Sequence, residues 1–290
     1  MYKIGIIGNG FVGSSVAHGF SAQTGCDAED VKIYDKDNSK STHTLSDVVN
    51  DSDYIFLSVP TPSSPDGSIS LDIVHEVFKD IDNVIDYEKE NQPVILLRST
   101  VLPGTTKKIQ GKYPRMNIVF NPEFLTERSA KLDFINQSRI VLGGSWGNTE
   151  AVKRLYQWRF GNYIPVIKTD FESAEMIKYM CNCFFATKVS YMNEMKKLSD
   201  KIGANWEDCV EGFALDGRIG HSHLNVPGHD GKFGFGGSCF PKDIQAMVNF
   251  MTNLNIPLNT LRGAWETNLD VRPEEDWKEL KGRAVVDENK

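Results

Sequence analysis

Up to about residue 170, short apolar runs alternate with longer segments whose apolar residues recur at helical spacing. Short apolar runs bounded by polar or glycine-rich turns predict buried strands, and the segments between them predict helices. Strands that alternate with helices are typical of a parallel, doubly wound α/β sheet. The predicted strands are 2–7, 31–35, 54–59, 94–97, 117–120, 139–142 and 163–167.

From about Phe171 the alternation stops, and a run without glycine or proline continues to about Ile202. This run predicts one long helix, apolar over most of its girth and therefore buried on several sides. Shorter helices are predicted at 243–254 and 258–269, and the charged tail after Pro273 shows little packing signal. The pattern therefore predicts two domains, an α/β domain at 1–168 and a mostly helical domain with a long central helix at 169–290.

Composition narrows the class of protein. Of the 290 residues, 40% are hydrophobic and 24% are charged, as in a soluble globular protein. The net charge of −7 argues against binding nucleic acid by phosphate neutralisation. Five cysteines without a regular framework suit a reducing compartment, and neither a membrane span nor a signal-peptide layout is apparent. We therefore expect a cytoplasmic protein with no nucleic-acid or membrane partner.

A glycine motif, Gly8-x-Gly10-x-x-Gly13, lies between the first predicted strand and a helix. In that context it predicts a dinucleotide site in a Rossmann-like sheet. Gly8 permits the tight turn, Gly10 lets a pyrophosphate approach the backbone, and Gly13 lets the helix pack against the strand. The second strand ends at Asp35, whose carboxylate can accept bonds from both ribose hydroxyls and would repel a 2′-phosphate. NAD is therefore predicted over NADP.

Cys239 lies between a glycine-rich approach, 234–237, and a Pro-Lys-Asp exit. A thiol near cationic groups is a usable nucleophile, although an inert buried cysteine fits this stretch equally well. Lys178 and Asn182 are four residues apart and share a helix face, where they could donate to an oxyanion, or Lys178 could simply extend from a buried helix to solvent. Candidate polar residues also follow strand ends, where ligands gather in such sheets: Thr100, Glu123 and Glu127.

The loop 215–231 is dense in glycine, histidine and aspartate, and a long loop in a compact fold is usually functional. Its histidines, His221, His223 and His229, have irregular spacing that resembles no common ligand pattern, so no metal site is predicted. Better candidates for ligand contacts are Arg218, Asn225 and Lys232.

Taken in order, these motifs resemble those of the UDP-glucose/GDP-mannose dehydrogenases. The resemblance extends from the start of the chain to about residue 245, and its motifs are 8–13, 59–62, 98–104, 121–125, 178–182, 188–194, 216–220 and 234–243. It implies NAD-dependent oxidation of the primary alcohol of a nucleotide sugar to a carboxylate, such as UDP-glucose to UDP-glucuronate, in two steps at one site. It also implies a homodimer formed through the helical domain.

Residue roles follow from the same resemblance. Cys239 would attack the aldehyde, Lys178 and Asn182 would stabilise the oxyanions, and Asp243 with a water would take up protons. Glu123 would be the base for thioester hydrolysis, Thr100 would position water, and Glu127 would lie in the same polar cluster. The implied cofactor contacts are Gly8, Asn9, Gly10, Phe11, Val12, Gly13, Asp35, Val59, Pro60, Thr61, Ser99 and Thr100. The implied substrate contacts are Phe124, Leu125, Lys178, Asn182, Arg218, Asn225, Phe233, Gly234, Gly236 and Gly237.

In one respect the sequence departs from the pattern of this family. Such dehydrogenases usually have a third, C-terminal domain, and the sequence stops at Lys290, near where that domain would begin. One alternative is therefore an NAD-binding dimeric module that needs a separate nucleotide-binding domain. Another is a dehydrogenase for GDP-mannose or a different UDP-sugar. A two-domain hydroxy-acid dehydrogenase fits the chain length, but it needs no nucleophilic cysteine.

Overall fold

A computed structural model describes residues 1–26 and 28–287. It divides into two compact units. The first unit comprises Met1–Thr61 and Leu71–Lys178, and the second comprises Pro62–Ser70 and the chain from Tyr179 onward.

The first unit contains a seven-stranded sheet in the order β2-β1-β3-β4-β5-β6-β7. Its strands are β1 (Lys3–Ile7), β2 (Asp30–Tyr34), β3 (Tyr54–Leu57), β4 (Val94–Leu97), β5 (Asn117–Phe120), β6 (Ile140–Gly144) and β7 (Val166–Thr169). The predicted doubly wound Rossmann-like sheet is confirmed. The last strand starts three residues later than predicted, at Val166.

Two strands depart from the expected parallel arrangement. β6 pairs with β5 in the antiparallel sense, with Gly144 opposite Val119, and β7 is parallel to β6. In this register Ile140 lies beyond the carboxyl end of β5, so the chain enters β6 there and runs back along its neighbour. Hydrophobic runs predict that a strand exists but carry no information about its direction.

Helices cover both faces of the sheet. They are α1 (Phe11–Gly19), α2 (Leu45–Asn50), α3 (Asp72–Val84), α4 (Thr105–Lys112), α5 (Ala130–Ile135) and α6 (Trp146–Phe160). Successive residues of β3 point to opposite faces: Ile55 and Leu57 join one apolar cluster, and Tyr54 and Phe56 join the other. A strand buried on both faces therefore reads as an unbroken apolar run.

The predicted long helix, α7, extends over Phe171–Ile202. Four residues on a recurring face of α7, Met176, Met180, Phe184 and Tyr191, are nevertheless exposed. This face continues through Leu198 to the end of the helix. No helix in residues 1–26 and 28–287 combines the length and the apolar character needed to cross a membrane.

Three further helices belong to the second unit: α8 (Trp206–Ala214), α9 (Phe240–Asn253) and α10 (Asn259–Val271). α9 starts three residues earlier than predicted, with Cys239 as its N-cap and a proline in its first turn. Proline suits that position because its missing N–H would have no intrahelical partner there. Short 3₁₀ helices occur at Ala22–Thr24, Asn38–Lys40 and Asp276–Glu279.

The segment after Pro273 packs more firmly than its charged sequence predicts. Trp277 is only 2% exposed. The backbone of Ser63 donates to the carbonyl of Ala284 and accepts from the N–H of Val286. The expectation of little packing is therefore wrong for 276–286, and residues 288–290 lie outside the described part of the chain.

Candidate active site

The three glycines of the turn between β1 and α1 differ in their conformations and in the space around them. Gly8 has φ +89°, a left-handed conformation that favours glycine. A Cβ on Gly13 would lie 1.9 Å from the carbonyl oxygen of Gly8, so the helix can pack this closely only at a glycine. A Cβ on Gly10 would meet no described atom within 4 Å, so the space in front of Gly10 is open. Asn9, Phe11 and Val12 complete the turn and begin the helix.

Asp35 directly follows β2 and lies beside this turn. One of its carboxylate oxygens accepts the backbone N–H of Asn9 at 2.7 Å, and the other accepts that of Asp37 at 2.9 Å. An open space at a helix N-terminus suits a pyrophosphate, and a carboxylate beside it suits a ribose diol. These residues fit the predicted dinucleotide.

The loops after β3 and β4 hold each other in place. The hydroxyl of Ser99 donates to the carbonyl of Val59 at 2.7 Å and accepts its N–H at 3.0 Å. The hydroxyl of Thr61 donates to the carbonyl of Thr100 at 2.9 Å. Pro60 lies between the two braced positions, so this part of the predicted cofactor edge is a fixed backbone surface.

Glu123 and Lys178 form a buried ion pair within the first unit. Their side chains are 7% and 3% exposed, and the ammonium lies 3.0 Å from the carboxylate. Lys178 also donates to the carbonyl oxygen of Glu123 at 2.6 Å, and the second carboxylate oxygen accepts the N–H of Leu125 at 2.7 Å. Sequence reasoning gave both residues a role but did not predict their contact.

The neighbouring candidates of this segment have different exposures. Two cations lie near the Phe124 ring, with the Arg139 guanidinium 4.1 Å and the Lys178 ammonium 5.6 Å from its centre. Thr100 is half-buried, while Glu127 is exposed. The shared polar cluster of Glu123, Thr100 and Glu127 stays a prediction.

Glu175 is a buried acid that sequence reasoning missed. Its carboxylate accepts the N–H groups of Gly104 and Thr106, at 2.6 and 2.8 Å, and the Thr106 hydroxyl at 2.6 Å. It thus caps α4 from α7, one turn before Lys178. Burial is the main influence on this carboxyl and raises the pKa of Glu175 to about 7. A glutamate in the first turns of a helix gives no sequence signal for such a contact.

A second missed group is Arg98, a buried cation at the end of β4. It donates to the Asn121 side chain at 2.6 Å and to the Tyr156 hydroxyl at 3.1 Å. Its guanidinium lies 5.9 and 5.8 Å from the ring centres of Phe56 and Phe134. Because Asn121 opens the segment that contains Glu123, this network fixes the start of that segment.

In the second unit, Asp243 joins two polar side chains. Asn182 donates to one of its carboxylate oxygens at 2.5 Å, and the Lys242 ammonium lies 2.5 Å from the other. All three side chains are buried. An amide nitrogen carries two hydrogens, so Asn182 retains a donor for a ligand. The structure therefore brings Asn182 and Asp243 into contact, and their catalytic roles stay predictions.

Cys239 stands one turn before Asp243, at the N-terminus of α9. Its carbonyl accepts the N–H of Asp243 at 2.9 Å, and its sulfur lies 3.8 Å from the Ser238 hydroxyl. A helix N-terminus stabilises an anion through its dipole and unsatisfied N–H groups. The cysteine is half-buried, unlike Cys183 on α7, whose thiol has a pKa raised by burial.

The resemblance implies that Gly234, Gly236 and Gly237 contact the substrate, but not all three leave room for a ligand. A Cβ on Gly234 would lie 2.4 Å from the Asn268 side chain, and one on Gly236 would lie 2.5 Å from that of Arg272. At Gly237, φ is +71° and no described atom lies within 4 Å of the Cβ position. Gly234 and Gly236 therefore accommodate side chains of α10 and its C-cap, and of the three only Gly237 faces open space.

The remaining substrate candidates lie on exposed parts of the second unit. Arg218 forms a bidentate pair with Asp216, Asn225 is exposed, and the Lys232 ammonium lies 2.8 Å from Asp276. Phe233 is 40% exposed. Their predicted contacts with a substrate stay predictions.

Comparison with known proteins gives two matches along the chain. Residues 31–159 match the UDP-glucose/GDP-mannose dehydrogenase family, NAD binding domain, and residues 172–270 match the central domain of the same family. The first match begins after the glycine turn, so that turn is independent support for a dinucleotide site.

Individual relatives agree with these matches. The chain is 36% identical to a UDP-glucose 6-dehydrogenase of Rickettsia conorii, over 81% of this chain and 53% of that protein. It is 32% identical to the UDP-glucose 6-dehydrogenase AglM of Haloferax volcanii, over 98% of this chain and 73% of that protein. The solved UDP-glucose dehydrogenase of Pyrobaculum islandicum superposes with a TM-score of 0.78 at 27% identity, over 92% of this chain and 68% of that one. The chain thus spans about half the length of the Rickettsia relative.

Proposed function

Because this chain belongs to the UDP-glucose/GDP-mannose dehydrogenase family, we propose that it oxidises the primary alcohol of a nucleotide sugar to a carboxylate. The observation that carries the proposal is Cys239 at the N-terminus of α9, one turn before the Asn182–Asp243–Lys242 cluster. A hydroxy-acid dehydrogenase would need no such thiol. The names of the relatives favour UDP-glucose as substrate and UDP-glucuronate as product.

NAD, when bound, accepts a hydride in each of the two oxidations. The residues that would hold it are the turn from Gly8 to Gly13, Asp35, and the braced loops at 59–61 and 99–100. Gly10 offers the open approach for the pyrophosphate, and Asp35 offers acceptors for the ribose hydroxyls.

The cysteine explains how an aldehyde can lose a second hydride. The Cys239 thiolate adds to the aldehyde carbon, and the new alkoxide takes a proton to give a thiohemiacetal. Loss of a hydride and that proton leaves a thioester. Water then cleaves the carbon–sulfur bond, releasing the carboxylate, two protons and the regenerated thiolate. Overall, an alcohol, two NAD⁺ and water give a carboxylate, two NADH and three protons.

The other polar residues would stabilise the charges that develop in these steps or transfer protons. Lys178 and the free hydrogen of the Asn182 amide would donate to the oxyanions. Asp243, with a water, would take up the protons of the oxidations. Glu123 would remove a proton from the water that attacks the thioester, and Thr100 would orient that water.

The test is the amount of NADH formed from limiting UDP-glucose with excess NAD, followed by absorbance to completion. Two NADH per sugar are expected. One NADH per sugar would contradict the thioester route. No NADH, from protein that still binds NAD in calorimetry, would contradict the proposal for this chain alone and favour a module that needs a separate domain.

The glycine turn provides a matched pair of variants for the cofactor site. Gly10→Ala should keep the melting temperature but weaken NAD binding about tenfold or more, because the added methyl group enters the open space before the helix. Gly13→Ala should lower stability by several kcal/mol, because its Cβ would overlap the carbonyl of Gly8. Calorimetric titration and thermal unfolding separate the two effects. Unchanged NAD affinity in Gly10→Ala would exclude this turn as the pyrophosphate site.

We also propose that the exposed face of α7 is the interface of a homodimer. An apolar cavity of about 250 Å³ between α7 and α8, lined by Leu198, Ile202, Trp206 and Phe213 among others, adjoins this face. Contiguous exposed apolar surface of this kind is rare on a monomer, and a long helix can meet a second copy of itself along its length.

The dimer is tested by placing charges on that face. Met180→Glu with Phe184→Glu should convert a dimer into a monomer in sedimentation equilibrium, since both side chains are exposed in the single chain. The control is Lys197→Glu, an exposed change on the same helix but outside the apolar face. A wild-type protein that sediments as a monomer would refute the interface.

A further inference from the structure

Accepting the proposed function, we infer that Asn268, supported by Arg272, is a positioning residue for Cys239. Asn268 projects from α10, and Arg272 from the C-cap of that helix, onto the segment 233–236, which leads into the cysteine. Neither residue was singled out by its sequence context, because a polar pair four apart on a helix is usually an exposed surface feature.

The segment 233–236 forms no helix or strand, so side chains satisfy its backbone. The Asn268 amide accepts the N–H of Phe235 at 2.7 Å and donates to its carbonyl at 3.1 Å. Asn193 on α7 accepts the N–H of Gly234 at 3.0 Å, and Arg272 donates to the carbonyl of Phe233 at 3.3 Å. Because Asn268 and Asn193 are fully buried, water does not replace them readily.

Close packing reinforces these bonds. Gly234 and Gly236 have their missing Cβ positions occupied by the side chains of Asn268 and Arg272. The Phe235 ring packs against Trp265 of α10 and Phe240 of α9. One face of α10 therefore fixes the backbone, the glycines and the aromatic ring of the approach to Cys239.

Arg272 is held rigidly and is balanced in charge. Its side chain is 3% exposed and lies 2.7 Å from carboxylate oxygens of both Asp230 and Asp276. The hydrogen bond from Arg272 lowers the pKa of Asp276 to about 2. The stability from this lowered pKa is present above the ordinary aspartate range and is lost only as pH falls toward 2. The contact is therefore intact throughout the neutral range.

The contacts of Asn268 and Arg272 restrict the backbone conformation of the glycine-rich segment before Cys239. Gly234 and Gly237 adopt φ values of +67° and +71°, and glycine has access to many other conformations. Without these contacts the segment would be free to move and the first turn of α9 would fray with it, so Cys239 would lose its defined place at the start of that helix. A nucleophile needs that place, since a displacement of about 1 Å can cost about 10²-fold in rate.

The test compares Asn268→Asp with Ser190→Ala. The aspartate retains an acceptor for the Phe235 N–H but places an oxygen against the Phe235 carbonyl. The control removes a buried hydroxyl that donates to the Ala264 carbonyl of α10, a hydrogen bond that does not involve 233–236. Alkylation of Cys239 by iodoacetamide is followed by peptide mass spectrometry without cofactor, and exposed Cys209 serves as the internal reference. The two oxidations are assayed separately, with the sugar alcohol and with its aldehyde.

For Asn268→Asp we expect about a tenfold slower alkylation of Cys239, with Cys209 unchanged, and about a tenfold slower aldehyde oxidation. Alcohol oxidation should change less than about twofold, and Ser190→Ala should leave the alkylation rate unchanged. Equal alkylation in all proteins, or a parallel loss of both oxidations, would overturn the inference. If Asn268→Asp does not fold, the inference is tested with Arg272→Lys, using the same alkylation and oxidation rates. Alkylation needs no turnover, so a wild type that forms no NADH would refute the proposed function while leaving this comparison decisive.

Discussion

Cys239→Ser is expected to form one NADH per sugar instead of two, and to release the aldehyde. A serine hydroxyl at the start of α9 occupies the same position but is a far weaker nucleophile than a thiolate, so the thiohemiacetal no longer forms. The rate of carboxylate formation should fall at least about 10³-fold, since loss of a covalent nucleophile removes a whole reaction path. The measurement is NADH yield with limiting sugar, together with trapping of the aldehyde by an added amine.

Cys209→Ser is the matched control, because Cys209 is exposed on α8. It should keep two NADH per sugar. The thioester route is wrong if Cys239→Ser still gives two, since the second hydride would then leave from a species that needs no sulfur.

Lys178→Met should lower both stability and activity. The substitution leaves the Glu123 carboxylate buried without its cation, and breaking such a pair typically costs about 3–5 kcal/mol. It also removes a donor to the oxyanions, which is expected to reduce turnover by about 10²–10³-fold. Chemical denaturation and steady-state rates measure the two effects independently.

The double variant Lys178→Met with Glu123→Gln separates structure from chemistry. With both charges absent, most of the lost stability should return, because no buried ion is left unpaired. Activity should stay low, since both proposed groups are gone. Lys107→Met, which breaks an exposed ion pair with Glu172, should change neither quantity measurably. Recovery of activity in the double variant would show that the ion pair is structural only.

Much of the architecture follows from the sequence because it depends on local signals. An uninterrupted run without glycine or proline predicted the approximate ends of α7, and the apolar runs predicted β4 and β5 to the residue. The antiparallel direction of β6 could not be predicted from these local signals. It depends on where the chain enters the sheet after β5, and that is decided by packing far along the chain.

The candidate site likewise contains some features that the sequence predicted and others that it did not. The glycine turn, Asp35 and the loop of Cys239 could be found because their spacing reflects a local geometry. The contact between Glu123 and Lys178, 55 residues apart, has no periodic signature. Asn268 and Glu175 bind the backbone of distant segments, and any polar residue on a helix looks the same in sequence until its neighbours are known.

The close approach of α7 to the sheet has a consequence for genetics. A Cβ on Gly143 in β6 would lie 2.7 Å from that of Ala174 and 2.8 Å from the Asp170 carbonyl oxygen, so α7 must move outward if any side chain is present. Ala174 is one turn before Lys178, so an outward shift of the helix separates that ammonium from Glu123. A random screen for inactive alleles should therefore recover changes at residue 143 among those of the active-site cluster, although this glycine touches no reacting atom.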